Sequence, residues 1–392
     1  MSAYLSDRIQ KIKPSATLEV TAKANELKSQ GIQIISMGSG EPDFDTPKNI
    51  QRAAIQAIKN GQTRYTMVDG TPILKQAIIN KFKRENSLTY TNTEVIVSSG
   101  GKQVFYNLCQ AVLNKGDEVI ITAPFWVSYP DITLLADATP IIITTGLEQN
   151  FKITPKQLES NITNNTKLFV INSPSNPTGV VYSQTELQAL ANVLKRYPKI
   201  LIITDDIYEH IHWNNNENFV NIVMVDKTLK NRTIILNGVS KAYAMTGWRI
   251  GYGAGPKNII QAMKKIQGQS TSNPCSISQA AALEALNGDQ SIINIMVCAF
   301  KKRHDFIVDA LNTINGIECS KSQGAFYAFP RVEGLISRLG LKDDIELSTY
   351  CLEILNIALV PGSDFGMPGY IRFSFATSMD NIKKAIDKLS KV

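Results

Sequence analysis

Histidine is scarce in this chain, with three in 392 residues, and so is any patterned use of cysteine. His210 and His212 stand in Glu209-His210-Ile211-His212, which lacks the H-E-x-x-H spacing of a helical zinc site, and His304 is remote from both. No metal site is expected. The five cysteines (Cys109, Cys275, Cys298, Cys319, Cys351) are odd in number, far apart and without a C-x-x-C pair, which argues against a disulfide framework or zinc knuckle and predicts reduced, buried thiols. No apolar run reaches the ~18–20 residues needed to span a bilayer; even Val119–Thr145 is broken by Pro124, Pro130, Asp131, Asp137 and Pro140. The first 13 residues carry Asp7, Arg8, Lys11 and Lys13 and no long apolar stretch, unlike a secretory signal. A cytoplasmic protein with no membrane partner is the expectation.

Several catalytic signatures are also missing. Gly238-Val-Ser240-Lys-Ala242 ends in Ala where the hydrolase elbow requires Gly. Gly100-Gly101-Lys102 is not a Walker loop, because no Gly lies five residues before Gly101 and Gln103 replaces Ser or Thr. Gly251-Tyr-Gly253-Ala-Gly255 is followed by Pro256 and lacks dinucleotide-binding spacing. Serine hydrolysis, P-loop phosphoryl transfer and nicotinamide chemistry lose support accordingly.

What is present is an ordinary globular composition, 43% apolar and 19% charged, on a chain long enough for two folded units. Lys plus Arg exceed Asp plus Glu by 41 − 34 = 7, a mild excess that suits small acidic ligands at least as well as nucleic acid, and no nucleic-acid partner is expected. The basic runs Lys264-Lys265 and Lys301-Lys302-Arg303-His304 fall in helical patterns and read as solvated faces.

From about residue 94, short β-branched runs alternate with helical stretches. Strands are predicted at Glu94–Val97, Val119–Thr122, Ile141–Thr145, Leu168–Ile171, Ile200–Thr204 and Thr233–Leu236. Thr154 followed by Pro155 and Gln157, and Ser183 followed by Glu186, mark helix starts. Helices are predicted over Ile277–Leu286 and Ile292 to about Asn312, with a further α+β section from near Gly324. The fold class is α/β: a large, mostly parallel sheet with helices, followed by a smaller unit.

Three predicted strands end abruptly in polar or turn residues: Leu168–Ile171 in Asn172-Ser-Pro-Ser-Asn176-Pro-Thr-Gly179, Leu201–Thr204 in Asp205-Asp206-Ile207-Tyr208, and Ile234–Leu236 in Asn237-Gly-Val-Ser240-Lys241. Ligands of open parallel sheets sit beyond the carboxyl ends of the strands, so Asn176, Asp205, Tyr208 and Lys241 are candidates to meet on one ligand. Lys241 has no carboxylate nearby in sequence; a desolvated lysine of lowered pKa is a nucleophile suited to Schiff-base chemistry. Val97-Ser-Ser-Gly100-Gly101-Lys102 follows a strand and opens a helix, the arrangement that offers backbone N–H groups to phosphate.

Together these are the parts that pyridoxal phosphate needs, and the chain resembles class I aminotransferases of fold type I over nearly its whole length, closest to bacterial aspartate aminotransferases. The resemblance is carried by Lys13-Pro-Ser-Ala-Thr17, Gly40-Glu-Pro-Asp-Phe-Asp-Thr-Pro47, Gly100-Gly-Lys-Gln103, Trp126-Val-Ser-Tyr129, Asn172-Ser-Pro-Ser-Asn-Pro-Thr-Gly179 and Ser240-Lys-Ala-Tyr-Ala-Met-Thr-Gly-Trp-Arg249. It implies an N-terminal arm and part of a small domain over residues 1–48, a large cofactor-binding α/β domain over 49–295 and a small α+β domain over 296–392.

By position, Lys241 matches the lysine that bonds the cofactor and then carries the proton, and Asp205 the carboxylate paired with the pyridine nitrogen. Tyr208 and Asn176 match the groups at the ring hydroxyl; Gly100, Gly101, Ser240 and Arg249 match the phosphate site; Trp126 matches the aromatic stacked on the ring. Tyr65 matches a tyrosine that reaches the phosphate of a neighbouring subunit, which implies a homodimer with shared sites. Arg372 matches the clamp on the substrate α-carboxylate and Gly40 a glycine at the substrate edge; Lys102, Ser15 and Lys13 match residues that read a second carboxylate, Lys13 in relatives that also accept prephenate. The implied activity is transfer of the amino group of aspartate to 2-oxoglutarate. The competing readings are a class I aminotransferase preferring aromatic amino acids or alanine, and a non-catalytic cofactor-binding regulator.

Overall fold

The computed structural model describes residues 4–12, 16–213 and 218–392. Its strands are β1 (Ile35–Ser36), β2 (Val95–Ser98), β3 (Glu118–Ala123), β4 (Thr139–Thr144), β5 (Thr166–Asn172), β6 (Leu201–Asp205), β7 (Thr233–Gly238), β8 (Gly251–Ala254), β9 (Tyr327–Ala328), β10 (Ile357–Ala358), β11 (Val360–Pro361) and β12 (Ile371–Ser374). Seven of them form one sheet in the order β2-β8-β7-β6-β5-β3-β4. All its pairings are parallel except the two made by β8, which runs against both β2 and β7.

Apart from the edge strand β4, whose residues are mostly exposed or half-buried, the sheet is buried on both faces, which explains why its inner strands read as unbroken apolar runs. Alternate residues divide between two cores: Phe169, Ile171, Ile202 and Ile235 join one, whereas Leu168, Val170, Ile203, Ile234 and Leu236 join the other. The first core is covered by helices Pro72–Asn86, Gln184–Lys195 and Ser276–Asn287, and the second by Gly101–Val112 and Lys257–Ser270. The expected capping boxes are formed, with Thr154 accepting from the Gln157 amide and Ser183 from the Glu186 amide.

Strand β8 was not among the predicted strands, because Gly251-Tyr-Gly-Ala254 has little β propensity. Its glycines have a packing cause. A Cβ on Gly251 would stand 2.3 Å from the Gly101 amide nitrogen, and one on Gly253 would stand 2.9 Å from Val104. The bare strand lets helix Gly101–Val112 press against the sheet.

A third core gathers Phe300, Ile307, Leu311, Phe326, Leu347, Phe373, Phe375 and Ile382 around the antiparallel sheet β11-β12-β9. The chain reaches this region early as well as late, since β1 pairs in parallel with β10. That pairing sets the following residues, Gly38 to Glu41, beside the ends of the large sheet.

Two expectations are corrected here. Cys109, Cys319 and Cys351 are buried, but Cys275 and Cys298 are exposed: Cys275 precedes helix Ser276–Asn287, and Cys298 lies off the buried stripe Ile293, Met296, Phe300 and His304. The basic runs are only partly solvated, because helical geometry turns every third or fourth residue inward. Lys265 and Lys302 face solvent, whereas His304 is buried, Arg303 pairs with Asp43 at 2.7 Å and Lys264 pairs with Asp69 at 2.9 Å. No helix among the described residues is long and apolar enough to cross a membrane.

Candidate active site

Parallel pairing brings three strand ends side by side: Asn172 of β5 is in register with Asp205 of β6, and Asp205 with Leu236 of β7. The turns that follow line a cavity of about 450 Å³. Of the residues singled out in the sequence, Gly40, Gly101, Lys102, Trp126, Asn176, Asp205, Tyr208, Ser240, Lys241, Arg249 and Arg372 line it. Gly100 adjoins it as the residue before helix Gly101–Val112. Tyr65 is 92% exposed and does not reach the cavity of its own chain. Lys13 and Ser15 lie outside the described residues.

The Lys241 amine projects into the cavity, 2.5 Å from the Gly40 carbonyl oxygen and 5.8 Å from the centre of the Tyr208 ring. Burial, with the nearby cations Arg372 and Arg249, brings its pKa down to about 8, against the opposing pull of Glu41 and Asp205. An uncharged amine, the nucleophilic form, is therefore accessible near neutral pH.

Asp205 closes β6 and is 4% exposed. Burial raises its pKa to about 6, although the Tyr129 hydroxyl, 2.5 Å away, and the Ile207 amide both donate to the carboxylate and favour its charged form. The Lys241 amine adds to these donors in favouring the charged form of Asp205. Three residues on, the Tyr208 hydroxyl lies 2.7 Å from that of Tyr327. Trp126 stands edge-to-face on Tyr129, with ring centres 5.2 Å apart.

Asp206 and Glu209 do not line the cavity; Asp206 accepts from Thr204 and Asn221, and Glu209 from Asn86 and Asn237. Glu85, Glu209 and His210 bring their ligand atoms together, and the Lys81 ammonium pairs with both carboxylates.

At the other end of the cavity, Gly100 has φ +89°, and the Arg249 guanidinium occupies the place where a side chain would stand: a Cβ would lie 2.2 Å from Nη2. The amide ends of helix Gly101–Val112 thus open beside an arginine and the buried Ser240, which is the donor set of an anion site.

Arg372 enters from β12 between Ile371 and Phe373, which face the core around β11-β12-β9. It is 2% exposed, and its guanidinium donates to Asn176 Oδ1 at 2.9 Å and to the Gly38 carbonyl at 2.6 Å. Tyr327 and Phe365 sandwich it, their ring centres 4.5 and 4.9 Å away. Its Nε has no hydrogen-bond partner among the described residues. Both of these hydrogen bonds go to neutral oxygens, with Asp364 the carboxylate that acts on the cation, and a buried guanidinium with a donor to spare is a ready partner for a further carboxylate. Lys102 also lines the cavity, 5.3 Å from the centre of the Trp126 ring, its pKa lowered by burial and by Arg249.

The sequence reading gave no role to Tyr129, Tyr327, Glu41 or Thr246. Tyr129 was visible within Trp126-Val-Ser-Tyr129, three residues after Trp126 and in the first turn of helix Ser128–Leu135. Tyr327 had no local signal, since only folding brings β9 to Tyr208. Glu41 and Thr246 meet at the cavity mouth, with the Thr246 hydroxyl donating at 2.9 Å.

A family model for class I and II aminotransferases matches residues 32–389. The chain belongs to this family. It is 59% identical to the aspartate/prephenate aminotransferase of Nitrosomonas europaea, with 99% of each chain covered. It is 49% identical to the enzyme of the same description from Cereibacter sphaeroides, covering 99% of this chain and 98% of the relative. Among solved structures, aspartate aminotransferase from Rhizobium meliloti matches with TM-score 0.94 and 43% identity, covering 99% and 98% of the two chains. The Thermus thermophilus enzyme with maleate matches with TM-score 0.93 and 39% identity over 99% of each.

The fold is accordingly that of a fold type I transferase, and the chain is a pyridoxal phosphate-dependent transaminase. The cavity fits that cofactor on its own chemistry: an amine of lowered pKa, a buried carboxylate at a strand end, and a glycine-opened helix terminus beside Arg249.

Proposed function

We propose that this transaminase acts on dicarboxylic amino acids, moving the amino group of aspartate to 2-oxoglutarate to give oxaloacetate and glutamate, and that prephenate is a further acceptor. The observation that carries the reading is that two further cations, the buried Arg372 and Lys102, line the same cavity as Lys241. The names of the relatives support the same substrates.

When bound, pyridoxal phosphate supplies an electrophilic carbonyl carbon and a protonatable ring that accepts electrons. Asp205 would hold the ring nitrogen, and its negative charge would keep that nitrogen protonated. Tyr208 and Asn176 would face the ring hydroxyl, and Trp126 the ring plane. Gly100, Gly101, Ser240 and Arg249 would hold the phosphate. Lys241 would bond the cofactor as a nucleophile and would hold and move the proton at the substrate α-carbon, so that one amine could serve both as nucleophile and as acid-base. Arg372 orients the α-carboxylate and Gly40 borders it. Lys102, with Ser15, reads the second carboxylate, and Lys13 assists with prephenate.

Tyr65, exposed in one chain, suits a homodimer in which it completes the partner's phosphate site. We further divide the chain into an arm and part of the small domain (1–48), a large domain (49–295) and a small domain (296–392), and assign the enzyme to the cytoplasm. A panel of amino donors with 2-oxoglutarate, and of acceptors including prephenate, tests the substrate reading. Aspartate and glutamate should exceed alanine and phenylalanine in kcat/KM, and the opposite order would overturn it.

A further inference from the structure

Helix Lys257–Ser270 turns Ile259, Ile260 and Met263 into the core, and the next inward position holds Gln267, fully buried. A carboxamide on an apolar stripe is costly unless its groups find partners. Here Nε2 donates to the carbonyls of Val68 at 2.5 Å and Val97 at 2.8 Å, while Oε1 accepts from Ser98 Oγ at 2.6 Å and Asn107 Nδ2 at 2.9 Å. Two main-chain carbonyls can only accept, so the orientation of the amide is fixed.

The groups it holds belong to two functional segments. Val97 and Ser98 end β2 and lead directly into Ser99-Gly100-Gly101, and Ser99 is itself held by Gln103, which donates to Thr271 just beyond the Gln267 helix. Val68 belongs to the stretch that carries Tyr65. That stretch lies against β2, with the Val97 amide donating to the Asp69 carbonyl and Gly70 leaving no room for a Cβ, which would stand 2.5 Å from Val97.

We propose that Gln267 is a positioning residue for the phosphate loop, setting Gly100 and Gly101 through Val97 and Ser98 and tying the loop to the Tyr65 stretch. The inference rests on the reading of that loop as the phosphate site. It does not require Gln267 to touch the cofactor.

The test compares affinity for pyridoxal phosphate with affinity for pyridoxal, which lacks the phosphate, by titrating protein freed of cofactor. Gln267→Leu should lower affinity for pyridoxal phosphate by about tenfold, and Ser98→Ala, which deletes one bond, by about threefold. Pyridoxal affinity should be unchanged in both. Arg249→Gln, altering an exposed side chain, reports on the phosphate reading itself and should also lower the ratio of the two affinities. If Gln267→Leu does not fold, Ser98→Ala decides. An unchanged ratio in the Gln267 and Ser98 variants with a lowered ratio in Arg249→Gln would overturn the role of Gln267. An unchanged ratio in all three would overturn the phosphate reading and the inference with it.

Discussion

Replacing Arg372 separates two ways in which this cavity could bind a substrate. The guanidinium is 2% exposed, donates to Asn176 and Gly38, and has Nε without a partner among the described residues. A carboxylate arriving there meets a cation already stripped of water and held between Tyr327 and Phe365. Truncating one member of such a desolvated charge pair costs about 2–5 kcal/mol, which corresponds to a loss of roughly 30-fold to several thousand-fold. Because every amino acid presents an α-carboxylate, Arg372→Ala should lower kcat/KM for aspartate and alanine by similar factors. Arg372→Lys keeps the charge but loses the planar fork and should recover only part of the loss. Steady-state kinetics with both donors provide the measurement. A loss confined to aspartate would assign Arg372 to the second carboxylate and refute the placement.

Lys102→Ala should lower kcat/KM for aspartate more than tenfold and spare alanine, since a charge-assisted bond contributes about 1.5–3 kcal/mol; equal losses would remove the basis for dicarboxylate preference. Lys13→Ala should impair prephenate more than oxaloacetate in acceptor kinetics. Tyr129→Phe deletes a donor that favours the charged form of Asp205, so the carboxylate, at about 6 in the cofactor-free protein, should titrate higher. The acid-side fall in cofactor affinity, followed by fluorescence titration, should then move to higher pH. Lys241→Ala should bind pyridoxal phosphate yet lose transamination in a coupled assay.

What could be read along the chain and what could not divide by range of interaction. The ends of β5, β6 and β7 were visible because burial on both faces makes each strand a continuous apolar run, so its polar stop is abrupt. Asp205, Asn176 and Lys241 were found at those stops. The capping boxes at Thr154 and Ser183 were visible because they close within four residues. By contrast, β8 is a strand only because glycine lets helix Gly101–Val112 lie on it, a fact about a neighbour 150 residues away. Tyr327 meets Tyr208, and Gln267 meets Val68 and Val97, only after the layers have packed. The resemblance to aminotransferases carried the assignments that local pattern could not, such as Arg372 and Tyr65. The exposed thiols of Cys275 and Cys298 were misread because composition does not say that one residue stands at a helix start and the other on the outer face of a helix.

The central claim is that Lys241 is the amine on which this cavity's chemistry depends. Borohydride reduction of the cofactor-loaded protein, followed by proteolysis and mass spectrometry of the peptides, tests it most directly. The pyridoxyl adduct should fall on Lys241 alone and be missing from Lys241→Ala; an adduct on Lys102 or any other lysine in the native protein would contradict the account.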